Sequence, residues 1–517
     1  MTVDPLQLTV DGRQVEVPAD GSSLLDVLRD RLGLHGPKDG CSPQGQCGCC
    51  TVLVDGAPRV ACVTPARRVA GRSVTTLDGF DPAERQAWAE AFSATGASQC
   101  GFCTPGIIVR LARLKDRTPD RAAVARALQA HLCRCTGWQT ILEAVEAVDR
   151  PVTIGTSRDL DAAARRAGIE GRAPQAVGPD VALGRGGFAD DGAPADALVA
   201  VGDGAGGWSL GATVAEARAA AGKVQGRRTT IDVGHPLDVP AGDWAVTLRT
   251  TWVEPGYLET DATWCAPGGE PASPLGNGGA FGGKVASPVA AVARELADRH
   301  GRPVRVLLSR EDTVRLGPKR PPVAAGMRSD GTGLLRVVRT AGIAKVIETM
   351  APGLRVEEVD VVGPRTSADL RAAGWAEAAV LLAGARGSTG PVTSPDGAVA
   401  EAGIDADGTV RIWVACGDPL DEVVLRSYCI GAAHMALGWV RSEGLAVDAQ
   451  GEVHDLTIRS FGILRAIDTP PVEVEIDRSA AGPPVNGSDA VFAAVAAASW
   501  IGQGCPQDWP TARGARR

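Results

Sequence analysis

A chain of 517 residues is long enough for about two to four domains, each with a core of its own. With 44% apolar residues, 22% charged residues and a formal charge of −8, the composition excludes a disordered chain and argues against nucleic acid as a partner. The opening residues, MTVDPLQLTV, lack the basic and apolar regions of a signal peptide. The longest nearly apolar stretch, Ala490 to Gly502, is too short to span a bilayer, so the chain reads as soluble and cytoplasmic, with no membrane partner.

In chain order, LQLTVDGRQVEVPA (6–19) alternates about Asp11-Gly12 and predicts a hairpin. Ser22 or Ser23 can cap a helix over LLDVLRDRLG, whose Leu24, Leu25, Val27, Leu28 and Leu32 share a face. A cysteine-rich loop follows, then strands TVLVD and RVACV joined through Asp55-Gly56, and a last strand from Ser73 to Leu77. From Asp81 the pattern becomes helical, in PAERQAWAEAFSATG, GIIVRLARLKD, DRAAVARALQAHL and TGWQTILEAVEAV. Residues 153–180 show little periodicity and are expected to be a linker. Beyond 180 the pattern is mixed, with strand-like RPVRVLLS (302–309) and GTVRIWVAC (408–416) and helix-like SPVAAVARELADRHG and VLRSYCIGAAHMALGWV. The expected domains are 1–80, 81–152 and 181–517.

Thirteen cysteines without an export signal point to metal binding rather than disulfides, and nine of them lie between Cys41 and Cys135. The first set, Cys41, Cys47, Cys50 and Cys62, is spaced C-x5-C-x2-C-x11-C. This is one residue longer in its first gap than a plant-type [2Fe–2S] loop, and Cys49 stands as an alternative or merely adjacent thiol. Gly45 and Gly48 allow the backbone to wrap sulfur closely. The second set, Cys100, Cys103, Cys133 and Cys135, is spaced C-x2-C-x29-C-x1-C, each pair preceding a predicted helix whose N-terminal N–H groups favour thiolates. Structural zinc is the competing reading, but zinc sites usually show two CxxC knuckles, and neither set does. The single cysteines Cys265, Cys416, Cys429 and Cys505 are expected to be buried thiols, and His434 to be packed rather than ligating.

The cysteine loop, QCGFCTPG and LCRCTGW together resemble the iron–sulfur portion of the xanthine dehydrogenase and aldehyde oxidoreductase family of molybdenum hydroxylases. The resemblance implies an α+β multidomain fold: a ferredoxin-like β-grasp [2Fe–2S] domain, a four-helix-bundle [2Fe–2S] domain and a mixed α/β molybdopterin-binding-like region. Two [2Fe–2S] clusters are implied, on Cys41, Cys47, Cys50 and Cys62 and on Cys100, Cys103, Cys133 and Cys135. Further stretches resemble the family's molybdopterin portion in order: ALGRGGFADD (182–191), TTWVEPGYLET (250–260), NGGAFGGK (277–284), RPVRVLLSREDTVRLGPKRPP (302–322) and GDPLDEVVLRSYCIGAAHMALGWVRSEG (417–444). In the glycine run, Gly278, Gly279, Gly282 and Gly283 can aim successive N–H groups at an anion or oxo ligand. With Ala280 and Phe281 these are the residues the resemblance assigns to molybdopterin.

The departures are as informative. The C-terminal portion is shorter than the family's, and the glutamine-bearing loop that holds the molybdenum oxo ligand is not found. Where the family carries its catalytic base in a GVGE-like loop, this chain reads SAAGPPVNGSD, with no glutamate after Ile476. Asp489 is the nearest carboxylate, expected to cap the last helix. The catalytic residue is therefore unassigned. One reading is a molybdenum hydroxylase-type oxidoreductase passing electrons through both clusters, in hydroxylation of a purine, aldehyde or N-heterocycle. Its expected partners are a separate FAD-containing subunit or other acceptor, a small-molecule substrate and a second copy of the chain. The alternative is a non-catalytic iron–sulfur electron-transfer or scaffold subunit with a degenerate molybdenum portion.

Overall fold

The computed structural model describes residues 5–114, 120–148, 158–204, 206–222, 231–275 and 279–512. Strands Leu6–Val10 and Arg13–Val17 pair antiparallel about Asp11-Gly12, whose φ angles of 49° and 79° match the twist of a two-residue hairpin. Ser23 caps the next helix in a reciprocal box with Asp26, and the helix widens from Leu24–Asp26 into a π turn at Val27–Arg31. Its buried Leu24, Leu25, Val27 and Leu28 share an apolar core with Leu8, Val10, Val52 and Val54 of a five-stranded sheet. The order is Arg13–Val17, Leu6–Val10, Ser73–Thr75, Thr51–Val54, Ala57–Val60, with Leu6–Val10 and Ser73–Thr75 parallel. RVACV, expected to be a strand throughout, leaves the sheet after Val60 and turns at Ala61–Val63. The Ala61 N–H then reaches the Cys50 carbonyl (3.2 Å), and Cys62 comes in under the cysteine loop.

Four helices follow, at Pro82–Thr95, Thr104–Leu111, Arg121–Ala127 and Gln139–Ala147. Asp81 and Asp120 cap the first and third by accepting from free N–H groups, as such residues do ahead of a first turn. Within the expected linker, residues 153–157 lie outside the described residues, and the remainder is not a bare connection. Leu160–Gly171 is a helix capped by Asp159. Its buried face carries Arg166 and Glu170, paired at 3.0 Å and without exposure, so charges stand where apolar periodicity would have marked the helix.

The described residues of the rest of the chain build three four-stranded sheets. In the first, Leu198–Gly202 and Val304–Leu307 run parallel between Trp208–Gly211 and Ala262–Cys265. The second joins Leu354–Val359, Gly333–Val338, Val323–Met327 and Val246–Arg249, and the third joins Val392–Thr393, Val399–Ile404, Val410–Ala415 and Val472–Ile476. The helices Glu422–Arg441, Ser488–Ile501 and Trp375–Arg386 pack at the centre of this portion. Glu422–Arg441 is, among the described residues, the one helix long and apolar enough to cross a membrane. Its apolar window is 89% buried in the fold, as befits a core helix.

Candidate iron–sulfur and cofactor sites

The loop between the first helix and Thr51–Val54 gathers Cys41, Cys47 and Cys50, and the turn at Ala61–Val63 adds Cys62, all buried. The Cys41 thiol contacts those of Cys47 and Cys62, and Cys62 contacts Cys50. Gln44 and Gln46 donate backbone N–H bonds to Cys41 Sγ (3.2 and 3.5 Å), and Cys62 donates one to Cys50 Sγ (3.4 Å). The Cys47 and Cys62 thiols first, then the Gln46 and Gln44 N–H groups, hold Cys41 well below the usual thiol range against its burial, which favours thiolate. The close wrap needs glycine at position 48: φ is +76°, and a Cβ there would stand 2.5 Å from the His131 ring. Cys49, the fifth thiol, is fully buried and contacts Cys47.

The second nest joins two helix starts. Cys103 is the N-cap of Thr104–Leu111, while Cys133 and Cys135 lead into Gln139–Ala147. Cys100 Sγ lies 3.8 Å from Cys135 Sγ, and Cys103 contacts Cys133, so the four thiols stand as two pairs. The Cys103 thiol draws Cys133 down to about 6; the Thr136 hydroxyl (3.1 Å) and two backbone N–H groups add to this against burial. Among the described residues, no group of three or more His, Cys, Asp or Glu side chains gathers as the ligands of one ion would.

Both nests are closed by the C-terminal portion. Over the first, Gln44 Nε2 donates to Glu311 Oε1 (3.0 Å) and to the Leu456 carbonyl (2.9 Å), and Arg310 donates to the Gly40 carbonyl (2.7 Å). At the second, Gln99 Nε2 bridges the Cys135 carbonyl and Ser427 Oγ. Arg134, between two of the cysteines, makes a two-pronged pair with Glu443 (2.5 and 2.8 Å). The helix Glu422–Arg441 comes so near that a Cβ on Gly431 would lie 1.7 Å from the Cys135 carbonyl.

Of the glycine run, Gly278 lies outside the described residues; Gly279, Ala280, Phe281, Gly282 and Gly283 are described. They do not form a row of N–H groups around an open slot. Gly279 lies directly on the second nest, where a Cβ would stand 2.5 Å from Cys135 Sγ. The Gly283 N–H is taken by the Ala280 carbonyl (3.0 Å) in a tight turn. Phe281, at φ +47°, is held by the Arg371 N–H on its carbonyl (3.1 Å), and the Arg371 guanidinium lies 3.8 Å over its ring. The cavity that Ala280 and Phe281 line with Arg134, Arg320, Arg371 and Glu443 holds about 40 Å³. A cleft for a cofactor-sized ligand needs roughly 300 Å³ or more. The eight thiols therefore fit two clusters, whereas the described part of the glycine loop does not fit molybdopterin.

The region of the missing base is also filled. Asp489 does not cap the last helix. Asn486 Oδ1 accepts the Asp489 N–H (3.0 Å), and the Asp489 carboxylate is paired with Arg172 and with Arg371 (3.1 Å). The helix start is capped from afar by Glu170, whose two oxygens accept the Gly487 and Ser488 N–H groups (3.1 and 2.9 Å). Sequence reasoning missed Glu170 because it lies in the segment read as linker; the signal available was an Arg and a Glu four apart. His434 is buried with Nε2 on the Leu464 carbonyl (3.0 Å), a packed histidine as expected. Cys265, Cys416 and Cys429 are buried and Cys505 is half-buried.

Comparison with known proteins bears on both nests. The family described as "2Fe-2S iron-sulfur cluster binding domain" matches residues 8–69, and that described as "[2Fe-2S] binding domain" matches residues 76–146. The chain is 40% identical over 153 residues to the nicotine 6-hydroxylase small subunit of Paenarthrobacter nicotinovorans, covering 29% of this chain and 91% of that one. It is 38% identical over 149 residues to the nicotinate dehydrogenase small FeS subunit of Eubacterium barkeri, covering 28% and 94%. The crystal structure of the aldehyde oxidoreductase from Desulfovibrio desulfuricans superposes with a TM-score of 0.68 at 14% identity. It covers 96% of this chain and 97% of that one, and shows the fold. The chain carries two 2Fe–2S binding domains within a mixed α/β multidomain fold, and it belongs to the molybdenum hydroxylase family.

Proposed function

We propose that this chain is a two-cluster electron-transfer component of a molybdenum hydroxylase-type oxidoreductase, with the C-terminal portion serving as scaffold. The observation that carries this reading is the arrangement of eight buried thiols in two nests that touch one another. Cys41, Cys47, Cys50 and Cys62 would hold one [2Fe–2S] cluster, and Cys100, Cys103, Cys133 and Cys135 the other. Pairing of Cys100 with Cys135 and of Cys103 with Cys133 suits a dinuclear cluster, which takes two thiolates on each iron, better than a single zinc among four equivalent ligands. When bound, each cluster supplies a one-electron redox centre. The protein's part is to bury the sulfurs, to donate N–H bonds to them and to exclude water.

The domains run from 1 to 80, from 81 to 152, and from the helix Leu160–Gly171 onward, in a chain that works in the reducing cytoplasm. Its partners are other subunits. One is an FAD-containing subunit or similar acceptor; another carries the reaction on a small molecule such as the N-heterocycles for which the small-subunit relatives are named. Residues that fill the molybdopterin position, rather than those that would bind it, support a scaffold role.

Metal analysis and low-temperature EPR of the reduced protein test this. About four iron per chain, two [2Fe–2S] signals and no molybdenum are expected. A colourless, zinc-containing protein overturns the cluster assignment. One molybdenum per chain, with brisk oxidation of a purine, aldehyde or N-heterocycle using an artificial acceptor, replaces the scaffold reading with that of a complete hydroxylase.

A further inference from the structure

Each nest has four thiols without Cys49, yet Cys49 is fully buried where the two nests meet; its Sγ donates weakly to the Cys47 carbonyl (4.0 Å), and its thiol lies against that of Cys47. The seam is tight. A Cβ on Gly40 would meet Cys49 Sγ at 3.0 Å, Cys47 Sγ at 3.1 Å and, from the second nest's own CGFC loop, Phe102 Cε1 at 3.2 Å. The first turn of Thr104–Leu111 presses on the same place, since a Cβ on Gly106 would lie 2.4 Å from the Gly48 carbonyl and 2.8 Å from the Cys49 carbonyl. The Leu132 N–H, one residue before Cys133, donates to the Cys47 carbonyl (2.9 Å). Cys49 lies within electrostatic reach of Cys41 and Cys50 on one side and of Cys133 and Cys103 on the other.

A thiol that is not a ligand keeps its hydrogen and can donate it weakly. A hydrogen bond to a ligand sulfur stabilises the more negative, reduced state of a cluster more than the oxidised one, and so raises its potential. We propose that Cys49 is a positioning residue of the first cluster: with a cluster bound, the Cys47 sulfur becomes the stronger acceptor, and the Cys49 S–H turns to it from the Cys47 carbonyl, which already accepts the Leu132 N–H, holding that cluster's potential up on the side that faces the second nest. No bond is made or broken and no proton leaves Cys49. The inference rests on the two-cluster reading.

The test uses the full-length holoprotein and the variants Cys49→Ala and Cys49→Ser, with iron content and redox-poised EPR of both signals as readouts. Wild-type protein without two [2Fe–2S] signals would sink the cluster reading itself, before any variant is compared. Given two signals, Cys49→Ala should keep its iron and the midpoint of the second signal, while the first signal moves to lower potential. Cys49→Ser retains a donor and should move less. Unchanged midpoints in both variants overturn the donor role. Loss of the first signal with its iron in both variants makes Cys49 a ligand, which also overturns it.

Discussion

Glu443→Leu should destabilise the second nest more than any surface change. Arg134 and Glu443 are only 4% and 2% exposed and share two hydrogen bonds, and Arg134 also donates from Nε to the Pro255 carbonyl (2.8 Å). Removing the carboxylate leaves a guanidinium buried between two cysteines without its counter-charge, a cost of about 3–5 kcal/mol. At an m of about 2 kcal/mol/M, the urea midpoint should fall by about 1.5–2.5 M. A chain of several domains does not unfold in one step, so the probe should be local: loss of the second [2Fe–2S] EPR signal along a urea series, with the first as internal reference. Replacing both partners, as Arg134→Met with Glu443→Leu, removes the orphaned charge and should recover most of the loss. A single variant within about 1 kcal/mol of wild type, or a double variant as weak as the single, would refute the view that this pair locks the second nest.

Gly48→Ala should cost the protein its first cluster. The new methyl meets the His131 ring at 2.5 Å in left-handed backbone, whereas Gly12→Ala, at φ +79° with nothing within 4 Å, carries only backbone strain; iron analysis of the two compares them. Glu170→Gln should lower the thermal midpoint of the C-terminal portion while iron is retained, because it removes the charge opposite buried Arg166 and weakens the cap on Ser488–Ile501; circular dichroism against iron content separates the two effects. His434 is pushed down to about 4, by burial first and then by Arg134, so between its ordinary value near 6.5 and 4 the unfolded chain binds the extra proton. Its contribution to stability is full above about pH 6.5 and is lost, by about 3 kcal/mol, as pH falls to 4. Urea titrations of wild type and His434→Gln across that window should show a flatter acid limb in the variant.

Much of the N-terminal third was legible because its signals are local. Asp11-Gly12 and Asp55-Gly56 announce turns through residues that tolerate positive φ, Ser23 and Asp26 announce a helix start, and Asp81 and Asp120 announce two more. The cysteine spacings state which thiols can converge, and the thiols meet as contacting pairs: Cys41 with Cys47 and Cys62, Cys62 with Cys50, Cys100 with Cys135 and Cys103 with Cys133. Less legible was Leu160–Gly171, whose inward face carries an ion pair instead of an apolar stripe. The glycine run was read by chemistry that Gly279 and Gly282 could perform in open space. Which atoms lie opposite them, Cys135 Sγ in one case and the Asp369 carbonyl in the other, is set by chain more than 80 residues away.

The sequence by itself determined the two sets of thiols and the small folds that present them, since ligand spacing, caps and turns act over a few residues. Only the tertiary structure decided what surrounds them. Cys49 stands in the seam because two separately coded loops pack there, and Glu170 caps a helix that begins at Ser488. Arg371 lies over Phe281 and pairs with Asp489 where the family resemblance had placed a cofactor and a base. Charges buried far from their partners in sequence leave no local period to read. Their pairing is favourable only once the fold has removed water from both.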